Sequence, residues 1–134
     1  MEKRTVLGWL ISFLAVVALT SCATVPVKPI TQADLPNLKG EWKGVYEVGD
    51  VNVTYPIEMK IFSEQLDGSW TWHRGNQLPN TGSFYARIEN GRFITSYGNN
   101  QVNLSLRKGE GKMRLEGDWK AGPYQGTMYL NKVK

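Results

Sequence analysis

The chain has one cysteine and one histidine among its 134 residues. A single cysteine forms no disulfide within the chain, and one cysteine and one histidine are too few for a common zinc site. A Ser-His-Asp or Cys-His site would have to use His73. His73 lies on the side of its predicted strand that faces away from Trp72, where an exposed histidine is expected. The carboxylates of Glu116 and Asp118 alternate on one strand face, which is typical of a solvated surface. We therefore predict no catalytic residue, no metal and no cofactor, and a protein that is not an enzyme.

Long apolar segments are also missing. The longest run, residues 6–19, is interrupted only by a glycine and a serine, and it is shorter than the about 20 apolar residues that span a bilayer core. It follows a positively charged start and precedes small residues, which is the order of an export signal. The sequence therefore predicts a cleaved signal peptide and not a permanent transmembrane helix.

The end of this run resembles the bacterial lipoprotein signal. Leu19, Thr20, Ser21 and Cys22 supply, in order, its aliphatic residue, two small residues and cysteine. The resemblance implies cleavage before Cys22, a diacylglyceryl group on its sulfur and an acyl chain such as palmitate on the new amine. Ala23 stands where an aspartate would retain the protein in the inner membrane. The resemblance thus implies the periplasmic face of the outer membrane in a Gram-negative source, and otherwise a lipid anchor in the cell membrane. The alternative is an ordinary secretory signal with an unmodified or removed cysteine.

Three segments follow from these features. Residues 1–21 are the predicted signal peptide, residues 22–37 the lipidated cysteine and its tether, and residues 38–134 a single folded domain. Three prolines in the tether disfavour helix and central strand, which favours an extended spacer. The alternative is that residues 25–30 add an edge strand to the domain.

From Leu38 onward, apolar and polar residues alternate with period two between glycine-containing turns, and no window favours a long helix. The predicted strands cover residues 41–48, 51–62, 69–74, 82–89, 92–97, 101–107, 112–119 and 124–132. Asp67-Gly68 predicts one turn, residues 75–80 a loop, and Asn90-Gly91 a two-residue hairpin. That hairpin is expected to pair Glu89 with Arg92, Ile88 with Phe93, Ala86 with Thr95 and Phe84 with Tyr97.

Eight short antiparallel strands leave two exposed edges unless the last strand pairs with the first. We therefore predict an all-β fold, an up-and-down eight-stranded barrel, with a two-sheet β-sandwich as the alternative. Gly40-Glu41-Trp42 resembles the glycine-x-tryptophan that opens the first strand of the calycins, the lipocalins and avidins, and Trp119 resembles another feature of that group. The resemblance implies a small closed barrel with Trp42 plugging one end.

Two sets of residues are candidates for binding. Inward aromatic residues favour a filled interior over a lined pocket; the candidate walls of a ligand pocket are Trp70, Trp72 and Tyr97. Residues 107–114 form the one charge cluster, for which a solvated hairpin tip is the favoured interpretation. The candidate contacts to lipid phosphate or anionic glycan in that cluster are Arg107, Lys108, Lys112 and Arg114.

The sequence therefore predicts a membrane-anchored periplasmic lipoprotein whose non-catalytic barrel binds a protein or another component of the cell envelope. Its expected partners are the membrane, through lipidated Cys22, and an envelope protein, a glycan or a small apolar ligand, but not nucleic acid. One alternative is a calycin-type carrier of a small ligand. Another is an inhibitor of a hydrolase, since the chain resembles the small lipoprotein inhibitors of lysozyme in size, anchor and β architecture.

Overall fold

The computed structural model describes residues 26–49 and 51–134, so the predicted signal peptide and Cys22 lie outside the described residues. These described residues form nine strands: β1 (Val27–Lys28), β2 (Gly40–Val48), β3 (Val53–Ile61), β4 (Asp67–Arg74), β5 (Gln77–Glu89), β6 (Arg92–Tyr97), β7 (Asn100–Gly109), β8 (Lys112–Ala121) and β9 (Tyr124–Lys132). A 3₁₀ turn, Gln32–Asp34, and the short helix α1, Leu35–Leu38, connect β1 to β2. In the described part of the chain, no helix has the length and apolar character needed to cross a membrane.

Strands β2 to β9 close into an antiparallel barrel. Each pairs with the next along the chain, and β9 returns to pair with β2, for example with Lys132 opposite Trp42. The predicted all-β class and the eight-stranded up-and-down barrel are confirmed, and the sandwich alternative is wrong. The closed barrel is consistent with a small barrel of the calycin kind.

The Asn90-Gly91 hairpin forms as predicted, except at its open end. Both turn residues have positive φ, 53° and 75°, and the pairs from Glu89–Arg92 to Ala86–Thr95 follow the expected register. Phe84, however, lies opposite Gly68 of β4 and not opposite Tyr97. The expected pair is wrong because β5 continues alongside β4 while β6 continues alongside β7.

Asp67-Gly68 is not a turn. Both residues lie in β4, and the chain reverses over residues 62–66, where Leu66 takes a φ of 63° and places its side chain in the core. A Cβ on Gly68 would lie 2.1 Å from the carbonyl oxygen of Lys60, so glycine serves here for close strand packing. The predicted loop at residues 75–80 is also wrong. Only Gly75 and Asn76 form the turn, with Arg74 opposite Gln77, so β5 begins earlier than expected.

The two ends of the barrel differ. The lower end contains the 90–91 and 110–111 turns together with the N-terminal segment, and the upper end contains the 75–76, 98–99 and 122–123 turns. At the lower end the indole nitrogen of Trp42 donates a hydrogen bond to the carbonyl of Leu38 at 2.9 Å. Both side chains are fully buried. Trp42 and α1 therefore plug the lower end, as the resemblance to calycins implies.

The segment before α1 lies on the barrel. Val27 and Lys28 pair with Arg107 and Leu106 of β7, and the Ile30 amide donates to the Gly91 carbonyl at 2.9 Å. Ile30 is buried. From Val27 onward, therefore, the chain follows the edge-strand alternative and not the extended spacer.

Candidate functional site

The upper half of the barrel interior is filled by aromatic rings. The Trp70 ring lies 4.9 Å from Phe84 and 5.6 Å from Trp72, between centroids. Trp72 in turn lies 4.8 Å from Tyr46 and 6.0 Å from Trp119. These are tilted and edge-to-face contacts, the geometries that stabilise aromatic pairs. Together with the buried aliphatic residues, the rings form one continuous core.

Two polar atoms of this aromatic cluster form hydrogen bonds to the backbone of the barrel. The Tyr46 hydroxyl donates to the carbonyl of His73 at 2.7 Å, and the Trp119 indole nitrogen donates to the carbonyl of Glu47 at 3.0 Å. Burial raises the pKa of the Tyr46 phenol, and Arg74 opposes the rise. In the described part of the chain, every buried side-chain nitrogen and oxygen has a hydrogen-bond partner. Tyr46 and Trp119 are therefore fixed by the backbone as well as by the neighbouring rings.

Two of the three candidate pocket walls lie together in this core. Trp70 is buried, and Trp72 is partly exposed at the upper end. Tyr97 is the last residue of β6, where its backbone lies opposite Asn100; its side chain is outside the described part of the structure. Trp70 and Trp72 thus pack against each other and against the core.

The arginines of the predicted basic cluster pair with a carboxylate on the outer surface of the barrel. Arg107 forms an ion pair with Glu116, across the β7–β8 ladder. An Arg114 guanidinium nitrogen lies 4.0 Å from the other Glu116 oxygen, and the same guanidinium covers the Tyr129 ring at 4.6 Å. Arg107 and Arg114 therefore hold defined positions around one carboxylate.

The two lysines of the cluster differ. Lys108 lies at the end of β7, with its ammonium nitrogen 3.7 Å from a carboxylate oxygen of Asp34. That carboxylate also accepts hydrogen bonds from the Thr31 amide at 2.9 Å and the Thr31 hydroxyl at 3.1 Å. Lys112, at the start of β8, is exposed. Lys108 therefore ties the 3₁₀ turn to the barrel, and Lys112 projects into solvent.

His73 and the Glu116–Asp118 pair lie on different strands of the described barrel, β4 and β8. The His73 imidazole lies 3.7 Å from one carboxylate oxygen of Glu58, and the Lys43 ammonium lies 3.5 Å from the other, on a half-exposed surface. Glu116 is held by two arginines, whereas Asp118 is exposed. Over residues 26–49 and 51–134, no three side chains of His, Cys, Asp or Glu cluster closely enough to hold a metal ion.

Two open depressions lie on the outer face of β7, β8 and β9. Their volumes are about 680 and 370 Å³, and they adjoin each other at Asp118 and Thr127. The larger is lined mostly by polar side chains, among them Gln101, Asn103 and Lys120. Both depressions lie on the outside of the barrel, whereas a carrier protein holds its ligand inside the barrel.

The least expected feature is a strand edge that has no partner. β6 has six residues, whereas its neighbours β5 and β7 have 13 and 10. At the lower end, β1 covers the part of β7 that β6 leaves free. At the upper end, Gln77 and residues 80–85 of β5 pair with β4 on one side, with a register shift at residues 78–79, and no described residue is opposite residues 77–85 on the other side. We call this second side the open edge.

The backbone groups of the open edge can be assigned from the hairpin. Glu89 and Arg92 flank a two-residue turn, and such a pair exchanges both of its backbone hydrogen bonds. Because the direction alternates along a strand, Thr81 and Ser83 direct their N–H and C=O groups toward the open edge. The Ala86 amide donates to the β4 side, at 2.9 Å to the Leu66 carbonyl, in agreement with this alternation.

Side chains at the open edge leave it accessible. Leu78 and Tyr85 are exposed by 92% and 82%, more than any other large hydrophobic residue in the described chain. A Cβ on Gly82 would meet no atom within 4 Å. Sequence reasoning missed this edge because residues 75–80 were assigned to a loop. Gly75-Asn76, a two-residue turn signal, was the indication that β5 starts at Gln77.

Comparisons of the chain with protein-family models, with curated proteins and with solved structures find no match.

Proposed function

We propose that this chain is a lipid-anchored, non-catalytic protein of the bacterial cell envelope whose barrel binds an extended segment of a partner protein along the open edge of β5. The observation that carries this proposal is the short β6, which leaves residues 77–85 without a second partner in the described structure. A row of free backbone donors and acceptors is the template on which another chain adds a strand.

The filled interior favours a surface binder over a small-ligand carrier. The Trp70 and Trp72 rings that a carrier would use as walls contact each other, and Trp72 also contacts Tyr46, whose hydroxyl is bonded to the His73 carbonyl. A ligand between Trp70 and Trp72 would have to displace these contacts. Strand addition needs no such rearrangement, because the open edge is already exposed.

The partner is expected to be another protein and not a second copy of this chain. Pro79 lies in the open edge and has no N–H to donate, which disfavours pairing of this edge with a second copy. Such a proline is a common protection against self-pairing of edges. A foreign strand opposite Thr81 and Ser83 forms its hydrogen bonds without involving Pro79. Room above Gly82 accommodates one of its side chains.

The anchor rests on the resemblance of residues 19–22 to the lipoprotein signal. Acylation of Cys22, at the outer membrane in a Gram-negative source, would place the barrel in the periplasm. We expect cells that produce the full chain to attach labelled palmitate to it, and the Cys22→Ser variant to remain unlabelled. Equal labelling of both would contradict the anchor without affecting the proposal for the open edge.

The open edge is tested with a photo-crosslinking amino acid at Leu78 in the full chain, in living cells. We expect a crosslinked partner that disappears with Thr81→Pro, which removes one edge N–H but no hydrogen bond of the barrel, and persists with the matched control Thr81→Ala. Circular dichroism of both variants checks that they fold. Equal crosslinking in the two variants, or a crosslink to a second copy of the chain, would overturn strand addition.

A further inference from the structure

Positive charge is concentrated on one half of the lower end, the half formed by β1, α1, β2, β7, β8 and β9. Eight basic side chains lie there, namely Lys28, Lys39, Arg107, Lys108, Lys112, Arg114, Lys132 and Lys134. Four acidic side chains accompany them, namely Asp34, Glu41, Glu110 and Glu116. The described residues of the upper end carry Arg74 and Lys120 against Glu47 and Asp118. The excess of positive charge is therefore a property of one end of the barrel. We call this half the basic end.

Some lysines of the basic end form no ion pair with a carboxylate of the described residues. Glu116 is shared by Arg107 and Arg114, and Asp34 pairs with Lys108. Four lysines of this end are exposed and form no ion pair with a carboxylate of the described residues, namely Lys28, Lys39, Lys112 and Lys134. Exposed lysines are the side chains that anionic surfaces attract at short range.

The N-terminal segment fixes how far this end can be from the anchor. Val27 is paired with Arg107, and the Ile30 amide is bonded to Gly91. Only five residue steps separate Cys22 from Val27, and a fully extended chain covers at most about 18 Å in that number of steps. A tether that ran freely to residue 37 would have allowed the barrel any orientation. The β1 pairing removes most of that freedom.

We propose that the basic end rests on anionic phospholipid headgroups, with the open edge of β5 directed away from the membrane. This inference rests on the acylation of Cys22 proposed above. The short tether holds the basic end near the bilayer, and the exposed lysines, which reach beyond the barrel backbone, contact lipid phosphates. Because the charges on the described residues of the upper end are balanced, that end attracts anionic lipid less strongly than the basic end does. The barrel thus stands upright and presents its binding edge to the periplasm.

The test uses the full acylated chain in vesicles of phosphatidylcholine, with or without phosphatidylglycerol, and with nitroxide labels on a fraction of the headgroups. A fluorophore is attached at Gln32→Cys, at the basic end, or at Asn76→Cys, at the upper end. Both native residues are uncharged and exposed. Because Cys22 is acylated, each variant has one free thiol. We expect strong quenching at position 32 and little at position 76 when phosphatidylglycerol is present, and weaker quenching at position 32 in phosphatidylcholine alone or at about 1 M salt.

Charge reversal provides the matched control. Lys112 and Lys120 are exposed lysines near opposite ends of β8. Lys112→Glu is expected to reduce quenching at position 32, whereas Lys120→Glu is expected to leave it unchanged. Equal quenching at positions 32 and 76 would overturn the proposal, and so would quenching that does not change with lipid charge or salt. It would also be overturned if the chain did not respond to phosphatidylglycerol but sedimented with an anionic glycan. A chain that is not acylated and does not remain with the vesicles would instead overturn the proposed anchor.

Discussion

The indole nitrogen of Trp119 lies 3.0 Å from the carbonyl oxygen of Glu47, although Trp119 is on β8 and Glu47 on β2. The strand between them is β9, where Gly126 lies opposite Trp119. A Cβ on Gly126 would lie 1.7 Å from that same oxygen and 3.0 Å from the indole nitrogen. The missing side chain on β9 therefore makes room for a hydrogen bond that ties β8 to β2 where the barrel closes.

Gly126→Ala is expected to destabilise the fold by about 1–3 kcal/mol, because the added methyl group collides with backbone and breaks this hydrogen bond. Gly82→Ala is the matched control. Its Cβ would meet no atom within 4 Å, so a change within about 0.5 kcal/mol is expected. Urea unfolding followed by tryptophan fluorescence measures both. Equal midpoints for the two variants would contradict the role of Gly126.

Ile30→Ala tests whether the N-terminal segment is part of the folded domain. Ile30 is 4% exposed, so truncating its side chain is expected to cost about 2–4 kcal/mol. Val27 is 50% exposed, and Val27→Ala is expected to change the stability by less than about 0.5 kcal/mol. If thermal unfolding of the two variants were the same, the segment would be a tether that only lies against the barrel.

Tyr46→Phe removes the hydroxyl that donates to the His73 carbonyl at 2.7 Å and keeps the ring in its aromatic contacts. A loss of about 0.5–1.5 kcal/mol is expected for one such bond. Tyr124→Phe, at an exposed tyrosine of the same end, is expected to have no measurable effect. Chemical denaturation of the two variants provides the comparison, and an unchanged stability for Tyr46→Phe would mean that the bond contributes nothing.

The stability of the fold is expected to depend on pH through the carboxyl group of Asp34. The Thr31 amide lowers the pKa of the Asp34 carboxyl from its usual 3.8; burial opposes this, and the Thr31 hydroxyl and Lys108 add to the lowering. A carboxyl whose pKa is lower in the folded state stabilises the fold above the unfolded pKa, and this contribution disappears as the pH falls through the folded pKa. The stability difference between wild type and Asp34→Asn should therefore be full near neutral pH and shrink below about pH 4.

Urea titrations at a series of pH values measure this difference. Thr31→Val serves as the control, since it removes the hydroxyl donor and keeps the amide donor, and it should lose only part of the effect. A difference that stays constant down to the acid limit of folding would contradict the role of the Asp34 charge.

The closed barrel was predictable because its signals are local. Alternation of apolar residues fixes which side of each strand is buried, and Asn90-Gly91 fixes the register of one hairpin through its own backbone angles. The role of Trp42 was predicted from the resemblance of Gly40-Glu41-Trp42 to the calycin pattern, which implies a tryptophan that plugs one end of the barrel. The burial of the aromatic residues was likewise predictable, because they recur at every second position along their strands.

Features that depend on distant parts of the chain were not predictable. Pro26 and Pro29 disfavour a central strand, but Val27 and Lys28 between them need only one neighbour, which β7 supplies. The divergence of β5 from β6 is set by the difference in their lengths, and no residue near Phe84 signals it. The open edge exists because β6 ends before it reaches the upper part of β5. The local pattern of residues 77–85 predicts a strand but does not show which neighbours it has.

The pairing of β2 with β9 has a consequence for how the protein is made. The first long strand finds its second neighbour only in the last one, so the barrel cannot close while β9 is still being synthesised. Until then, Trp42 and the other core side chains lack part of their packing, and the incomplete chain is exposed to aggregation and proteolysis. Loss of β9 alone would therefore open the whole barrel and leave no smaller stable domain.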